Sequence, residues 1–167
     1  MKALALVAHP DDCVIFASAY MDAHPEHEWT IIYLTHWRWH KRGREMTRYW
    51  KKRGIKTKYL GFKDHARDLG NLQLLTWPEK EAARAIQRAV KGYELILTHN
   101  AQGEYGHPHH LVVHNAIKDI TVPKVYFSLD TNDLCYQHHI NMDELPRHAK
   151  AIRAHAHSGK SYYKEEL

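Results

Sequence analysis

A single-domain, Rossmann-like doubly wound α/β fold is what this chain of 167 residues predicts. Three observations carry it. Strand-like apolar runs alternate with helix-period segments, which implies a mostly parallel sheet with right-handed crossovers and helices on both faces. The first run, Ala3-Leu4-Ala5-Leu6-Val7, has no polar alternation, as a strand covered on both faces should. Two clusters rich in imidazole and carboxylate follow strand-like runs: Ala8-His9-Pro10-Asp11-Asp12 and Gly103-Glu104-Tyr105-Gly106-His107-Pro108-His109-His110. The carboxyl ends of strands are where open α/β sheets bind ligands.

Taken in order, residues 2–8 read as the first strand and 14–22 as a helix. Residues 29–35 form the second strand, 41–53 a basic amphipathic helix, and 57–61 a third strand. Pro78 at a first turn, followed by Glu79 and Glu81, starts a helix over 78–91. Its apolar stripe is Ala82, Ala85, Ile86, Ala89 and Val90, and Gly92 stops it. Residues 95–99 are a strand, 108–120 a helix opened by Pro108, and 124–128 a last strand. Beyond 129 the pattern is less regular; a substrate-side loop and a helix around 144–157 are expected there. With no repeat or linker, residues 1–167 read as one domain.

Composition narrows the classes. The chain is 44% hydrophobic, enough for a packed core. No segment reaches the ~18 apolar residues of a membrane span, and only Met1-Lys2 precede the first strand, which argues against a secretory signal. Two cysteines, Cys13 and Cys135, make no disulfide framework, so reduced thiols and a cytoplasmic setting are expected. The net charge of +5 concentrates in 38–58, where Lys and Arg interleave with Trp39, Tyr49 and Trp50. A nucleic-acid patch has this composition. So does the solvent face of an amphipathic helix, which is the preferred reading, and so does the rim of a sugar site. The sequence leaves oligomeric state open.

The two motifs carry the chemistry. Imidazole with carboxylate suits Zn²⁺ or another divalent transition metal. His107 and His110 are three apart, on one face of a first helical turn. The competing reading makes His9 a loop residue and Asp12 a helix cap. Asp11 is read as a base acting on water activated by the metal, or else as a second capping carboxylate. His107 suits oxyanion stabilisation or, in the plainer reading, a solvated surface. Cys13, at a helix N-terminus, is either redox-sensitive or a small packing residue. His99 follows a strand end and is placed at the pocket wall.

The paired motifs resemble the zinc-dependent LmbE/PIG-L N-deacetylase family. That family carries Ala-His-Pro-Asp-Asp after its first strand and Gly-Glu-x-Gly-His-Pro-Asp-His before a later helix. Arg44-Glu45 and Leu60-Gly61-Phe62-Lys63-Asp64 are similar to further family segments. The resemblance is clearest over 1–130. It implies His9, Asp12 and His110 as metal ligands, Asp11 as general base, and His107 as the group that stabilises the oxyanion or protonates the leaving amine. It also implies Zn²⁺ as cofactor and removal of acetyl from an N-acetylated amino sugar, a small-molecule partner. Arg44, Asp64 and Arg67 are candidates for holding substrate. Two departures stand out: Cys13 replaces Glu, and His109 replaces the Asp expected to support His107. A histidine supplies no negative charge, so His107 should hold its proton less tightly, unless a carboxylate such as Glu104 stands in. A metal- or ligand-binding relic, without catalysis, is the alternative these departures motivate.

Overall fold

A computed structural model describes residues 1–64 and 75–128, together with the backbone of 162–166. Strands β1 (Lys2–Val7), β2 (Glu28–Thr35), β3 (Lys56–Phe62), β4 (Leu95–Thr98) and β5 (Lys124–Ser128) pair in parallel in the order β3-β2-β1-β4-β5. This is the doubly wound α/β sheet expected. An antiparallel strand β6 (Tyr162–Glu166) extends it beside β5, which the sequence did not predict. The expected loop from 129, the helix at 144–157, Arg67 and Cys135 lie outside the described residues.

Helices cover both faces because the strands are apolar on both. Ala3, Ala5 and Val7 of β1 meet Tyr20 and Met21 of α1 (Ser18–Ala23), and Met46, Tyr49 and Trp50 of α2 (Lys41–Lys52). Leu4, Leu6 and Ala8 meet Ala82 and Ile86 of α3 (Glu79–Ala89) on the opposite face. Val112, Val113 and Ile117, from the helix that follows β4 (Pro108–Ile117), join that second cluster. The period of two along β1 thus feeds two separate cores. Among the described residues no helix is long and apolar enough to cross a membrane.

The chain reverses direction across the sheet between β1 and β4, opening a crevice at their carboxyl ends. The backbone there is tightly held. The Ala8 carbonyl accepts from the Thr35 amide at 2.9 Å and from Thr35 Oγ1 at 2.8 Å. The Ala8 amide donates to His99 Nε2 at 3.0 Å. These contacts lock the start of the His9 loop to both neighbouring strands.

Trp50 is fully buried under the sheet. Trp50→Ala should cost ~3–5 kcal/mol of stability, read as a lowered urea midpoint with an unchanged slope.

Candidate metal centre and active site

The loop after β1 turns directly into a π-helical segment, Cys13–Ala17, that leads into α1. Asp12 stands at its start but makes no side-chain cap. Its Oδ2 instead accepts from the His9 amide at 2.8 Å and lies 3.2 Å from His9 Nδ1. The helix-cap reading of Asp12 therefore does not describe it. Cys13 is fully buried in the core, and burial pushes its thiol pKa well up. It is a protonated packing residue, and the redox reading falls away.

The second loop leaves β4 through Asn100. The Asn100 side chain accepts from the Gln102 and Glu104 amides at 2.9 and 3.0 Å and donates to the Phe127 carbonyl at 2.7 Å. A short helical turn, α4 (Gly103–Gly106), follows, with Gly103 at φ 60, Gly106 at φ 86 and Glu104 itself at φ 58. A left-handed backbone at a non-glycine residue is held against a local preference. The result is inward aim: Glu104 Oε2 sits 2.7 Å from His99 Nδ1 and 2.6 Å from His110 Nδ1. Helix α5 (Pro108–Ile117) begins with Pro108, and the His107 ring caps it by accepting from the His109 amide at 3.2 Å.

His9, Asp12 and His110 come together in the crevice, with one ligand atom from each within 4.8 Å of the others. All three are buried. His110 Nδ1 is engaged by Glu104 at 2.6 Å, so Nε2 is the ring nitrogen left to face an ion, as a lone-pair donor once deprotonated. That buried Nε2 lies 3.3 Å from Asp12 Oδ2 and has no hydrogen-bond partner. An orphaned buried acceptor beside a carboxylate and a second imidazole fits a divalent ion. His9 Nδ1, an Asp12 oxygen and His110 Nε2 would hold it. Glu104 fixes the ring of His110, as carboxylates do behind ligating histidines. The expectation of Glu104 as a support for His107 is corrected: it serves His99 and His110.

Charges follow from this packing. Burial alone would raise Asp12, but His110 and His9 outweigh it and hold the carboxyl well below the ordinary range. Burial would also raise Glu104, yet His99 and His110 pull it down to about 2. Burial and the His99 charge oppose protonation of His110, while Asp12 and Glu104 prevail and raise it. Asp11 goes the other way: burial, then the Asp12 charge, raise it against the pull of Arg42. His107 is pushed down to about 3 by burial and by the charges of His9, His110 and His109. With Nδ1 accepting from the His109 amide, its ring is neutral and its proton sits on Nε2.

His109 faces away from His110 because adjacent helical residues diverge by about 100°. Its Nδ1 contacts His9 Nε2 at 2.9 Å, and its ring stacks on Trp77 with centroids 5.2 Å apart. It stands behind His9, not behind the His107 ring as the sequence suggested. Asp64 reaches the crevice: its Oδ1 is 3.9 Å from His9 Nε2, and its Oδ2 is 3.8 Å from both His36 Nε2 and Arg42 Nη1. Arg44 does not. It is exposed on α2, while Arg42 reaches inward, with Nη2 2.6 Å from Asp11 Oδ1. The signal for Arg42 was available, since Arg42, Met46, Tyr49 and Trp50 share one helical stripe. Asn100 and Trp77 carried no comparable signal.

The basic aromatic stretch lines a separate groove of about 590 Å³ beside β3, with Trp37, Arg38, Trp39, Lys51 and Tyr59 among its walls. Trp37 and Trp39 are largely exposed.

Glu104→Gln should weaken divalent-metal affinity by about 10–100-fold, read by competition with a chelator. His109→Asp should strengthen it, because a carboxylate behind His9 makes that imidazole a better donor; equal affinity would exclude the His9 contact as a tuning device. As pH is lowered, Zn²⁺ affinity should also begin to fall while still above about pH 6.5, because protons compete for His110, whose pKa is raised above that value.

Several known proteins share this fold. A teicoplanin deacetylase in complex with teicoplanin superposes with a TM-score of 0.59 at 13% identity, covering 95% of this chain and 87% of the other. The zinc-inhibited form of teicoplanin deacetylase gives 0.58 at 15%, covering 77% and 67%. A 4-carboxy-2-hydroxymuconate hydratase from Pseudomonas putida gives 0.54 at 14%, covering 76% and 65%, so the fold also hosts different chemistry. An uncharacterized protein of Acanthamoeba polyphaga mimivirus is 27% identical over 148 residues, 78% of this chain, and the chain spans 63% of that relative's length. Residues 4–121 match the family described as PIG-L, GlcNAc-PI de-N-acetylase. Both histidine-aspartate loops fall inside that stretch, and the chain belongs to the PIG-L family.

Proposed function

We propose that this protein is a zinc-dependent N-deacetylase, removing an acetyl or similar small acyl group from an N-acetylated amino sugar or its conjugate. The observation that carries this is the orphaned His110 Nε2 facing Asp12 and His9, with Asp11 and His107 beside it. When bound there, a divalent ion supplies a Lewis acid that polarises a carbonyl and acidifies water. The family match and the deacetylases of like fold support the reaction class. The sugar is the finer part of the proposal.

The chain's own residues divide the work. Asp11 has its pKa raised by burial and by Asp12, which suits a carboxylate that must take a proton from attacking water. Its Oδ1 rests against Arg42, which holds the carboxylate in one orientation. His107 presents a neutral Nε2–H, a donor for the amide oxygen as charge builds on it. As a neutral ring it acts by hydrogen bonding. Asp64 and Arg42 stand at the crevice as polar partners for substrate hydroxyls. Exposed Trp37 and Trp39, on the groove beside β3, offer apolar faces on which a sugar ring can lie.

The test is a screen of N-acetylated amino sugars with the zinc-loaded protein, read as free amine. Asp11→Asn should keep the metal and lose about 10²–10⁴-fold in turnover. Retention of full activity in Asp11→Asn would remove Asp11 from the base role. Absence of amine release from any substrate at full metal loading would favour a binding relic.

A further inference from the structure

At the other end of α1 a second group of metal-binding side chains assembles, unconnected with the catalytic centre. It lies in the turn His24-Pro25-Glu26-His27, between α1 and β2. The His27 amide donates to the His24 carbonyl at 3.3 Å, and Trp29 Nε1 donates to the same carbonyl at 2.9 Å. Tyr20 packs on the His24 ring with centroids 4.4 Å apart. The turn is therefore braced from the helix on one side and from β2 on the other.

Both rings direct Nδ1 at one carboxylate oxygen. His24 Nδ1 is 3.2 Å from Glu26 Oε1, and His27 Nδ1 is 3.5 Å from it. The two rings are near-parallel, 13° apart, with centroids 5.6 Å apart. One ligand atom from each of the three residues lies within 4.8 Å of the others. Ligands about 2.0–2.1 Å from a tetrahedral ion are about 3.3 Å from one another, close to the two nitrogen–oxygen separations here. His27 Nδ1 is moreover buried and has no hydrogen-bond partner. A buried imidazole nitrogen that makes no hydrogen bond is costly unless something binds it.

We infer that His24, Glu26 and His27 form a second site for a divalent transition-metal ion, at the opposite end of α1 from Asp12. Two imidazoles and one carboxylate favour Zn²⁺, Ni²⁺ or Cu²⁺ over the oxygen-seeking Mg²⁺ and Ca²⁺. Glu26 is 59% exposed at its side chain, so the remaining coordination positions face water and the ion exchanges freely. A bound ion would tie the C-terminal end of α1 to the start of β2.

The experiment titrates untagged, metal-free, full-length protein with Zn²⁺ and counts ions by calorimetry and equilibrium dialysis. Wild type should bind a second ion that His24→Ala and Glu26→Gln each lose, and Ni²⁺ should compete for it. Glu26 is exposed, so Glu26→Gln keeps the fold even if His27→Ala does not. His110→Ala should retain this ion while losing the catalytic one, and Glu26→Gln should release amine at the wild-type rate. Zinc should raise the melting temperature of His110→Ala but not of His110→Ala/Glu26→Gln. Identical stoichiometry and affinity in wild type and Glu26→Gln would overturn the inference. That comparison stands whether or not the catalytic centre loads, so the two proposals fail separately.

Discussion

One buried carboxylate oxygen, Glu104 Oε2, lies between the rings of His99 and His110 and fixes both. The rings stack with centroids 3.8 Å apart and an 18° tilt, an arrangement two imidazoles hold when an anion sits beside them. A carboxylate taken out of water is costly unless it is paired and hydrogen-bonded. Glu104 is paired twice and also accepts from the Asn100 amide at 3.0 Å. Its left-handed backbone is a further local cost that the surrounding contacts must offset. What the chain gains is direction: His110 keeps Nε2 free to face Asp12, and His99 presents Nε2 to the Ala8 amide. The same carboxylate thus orients the His110 ring and secures the loop that carries His9.

The fold brings the parts together at the switch point. His9 and Asp12 leave β1, while His107 and His110 start the helix after β4, and β1 and β4 are direct neighbours. Thr35, at the end of β2, clamps Ala8 from the other side. Phe16 closes the floor, edge-on to both His99 and His110 and stacked on Phe127 with centroids 5.4 Å apart. An apolar floor under a polar cluster lowers the local dielectric and strengthens every charge interaction above it. The same effect separates the two aspartates: Asp12 is held ionised by the imidazoles, and Asp11, further from them, is pushed toward protonation.

His109 changes the character of this cluster. A carboxylate at that place would pull a proton toward itself and make His9 a stronger donor to a metal. An imidazole can hold the ring in place through a neutral hydrogen bond but adds no negative charge. Burial, more than any neighbouring charge, keeps His107 neutral. His107 then presents a single N–H, and the bond its Nδ1 accepts from the His109 amide fixes the direction of that N–H.

The fold class was legible in the sequence because a strand covered on both faces is apolar along its buried length, and residues 3–7 of β1 are. The helices were legible from their period, and the two loops from residue types rarely placed together without a ligand. Arg42 was legible too, from the stripe it shares with Met46 and Trp50, although Arg44 drew attention for its likeness to a motif. What the sequence could not determine was partnership. Nothing in the order of residues says that Glu104 meets His99 and His110, that Trp77 stacks on His109, or that His109 stands behind His9. The farthest of those contacts, His9 to His109, joins residues a hundred apart, and the register of β1 against β4 brings them together. Periodicity reports which way a side chain points from its own backbone; what it meets there depends on the rest of the chain having folded.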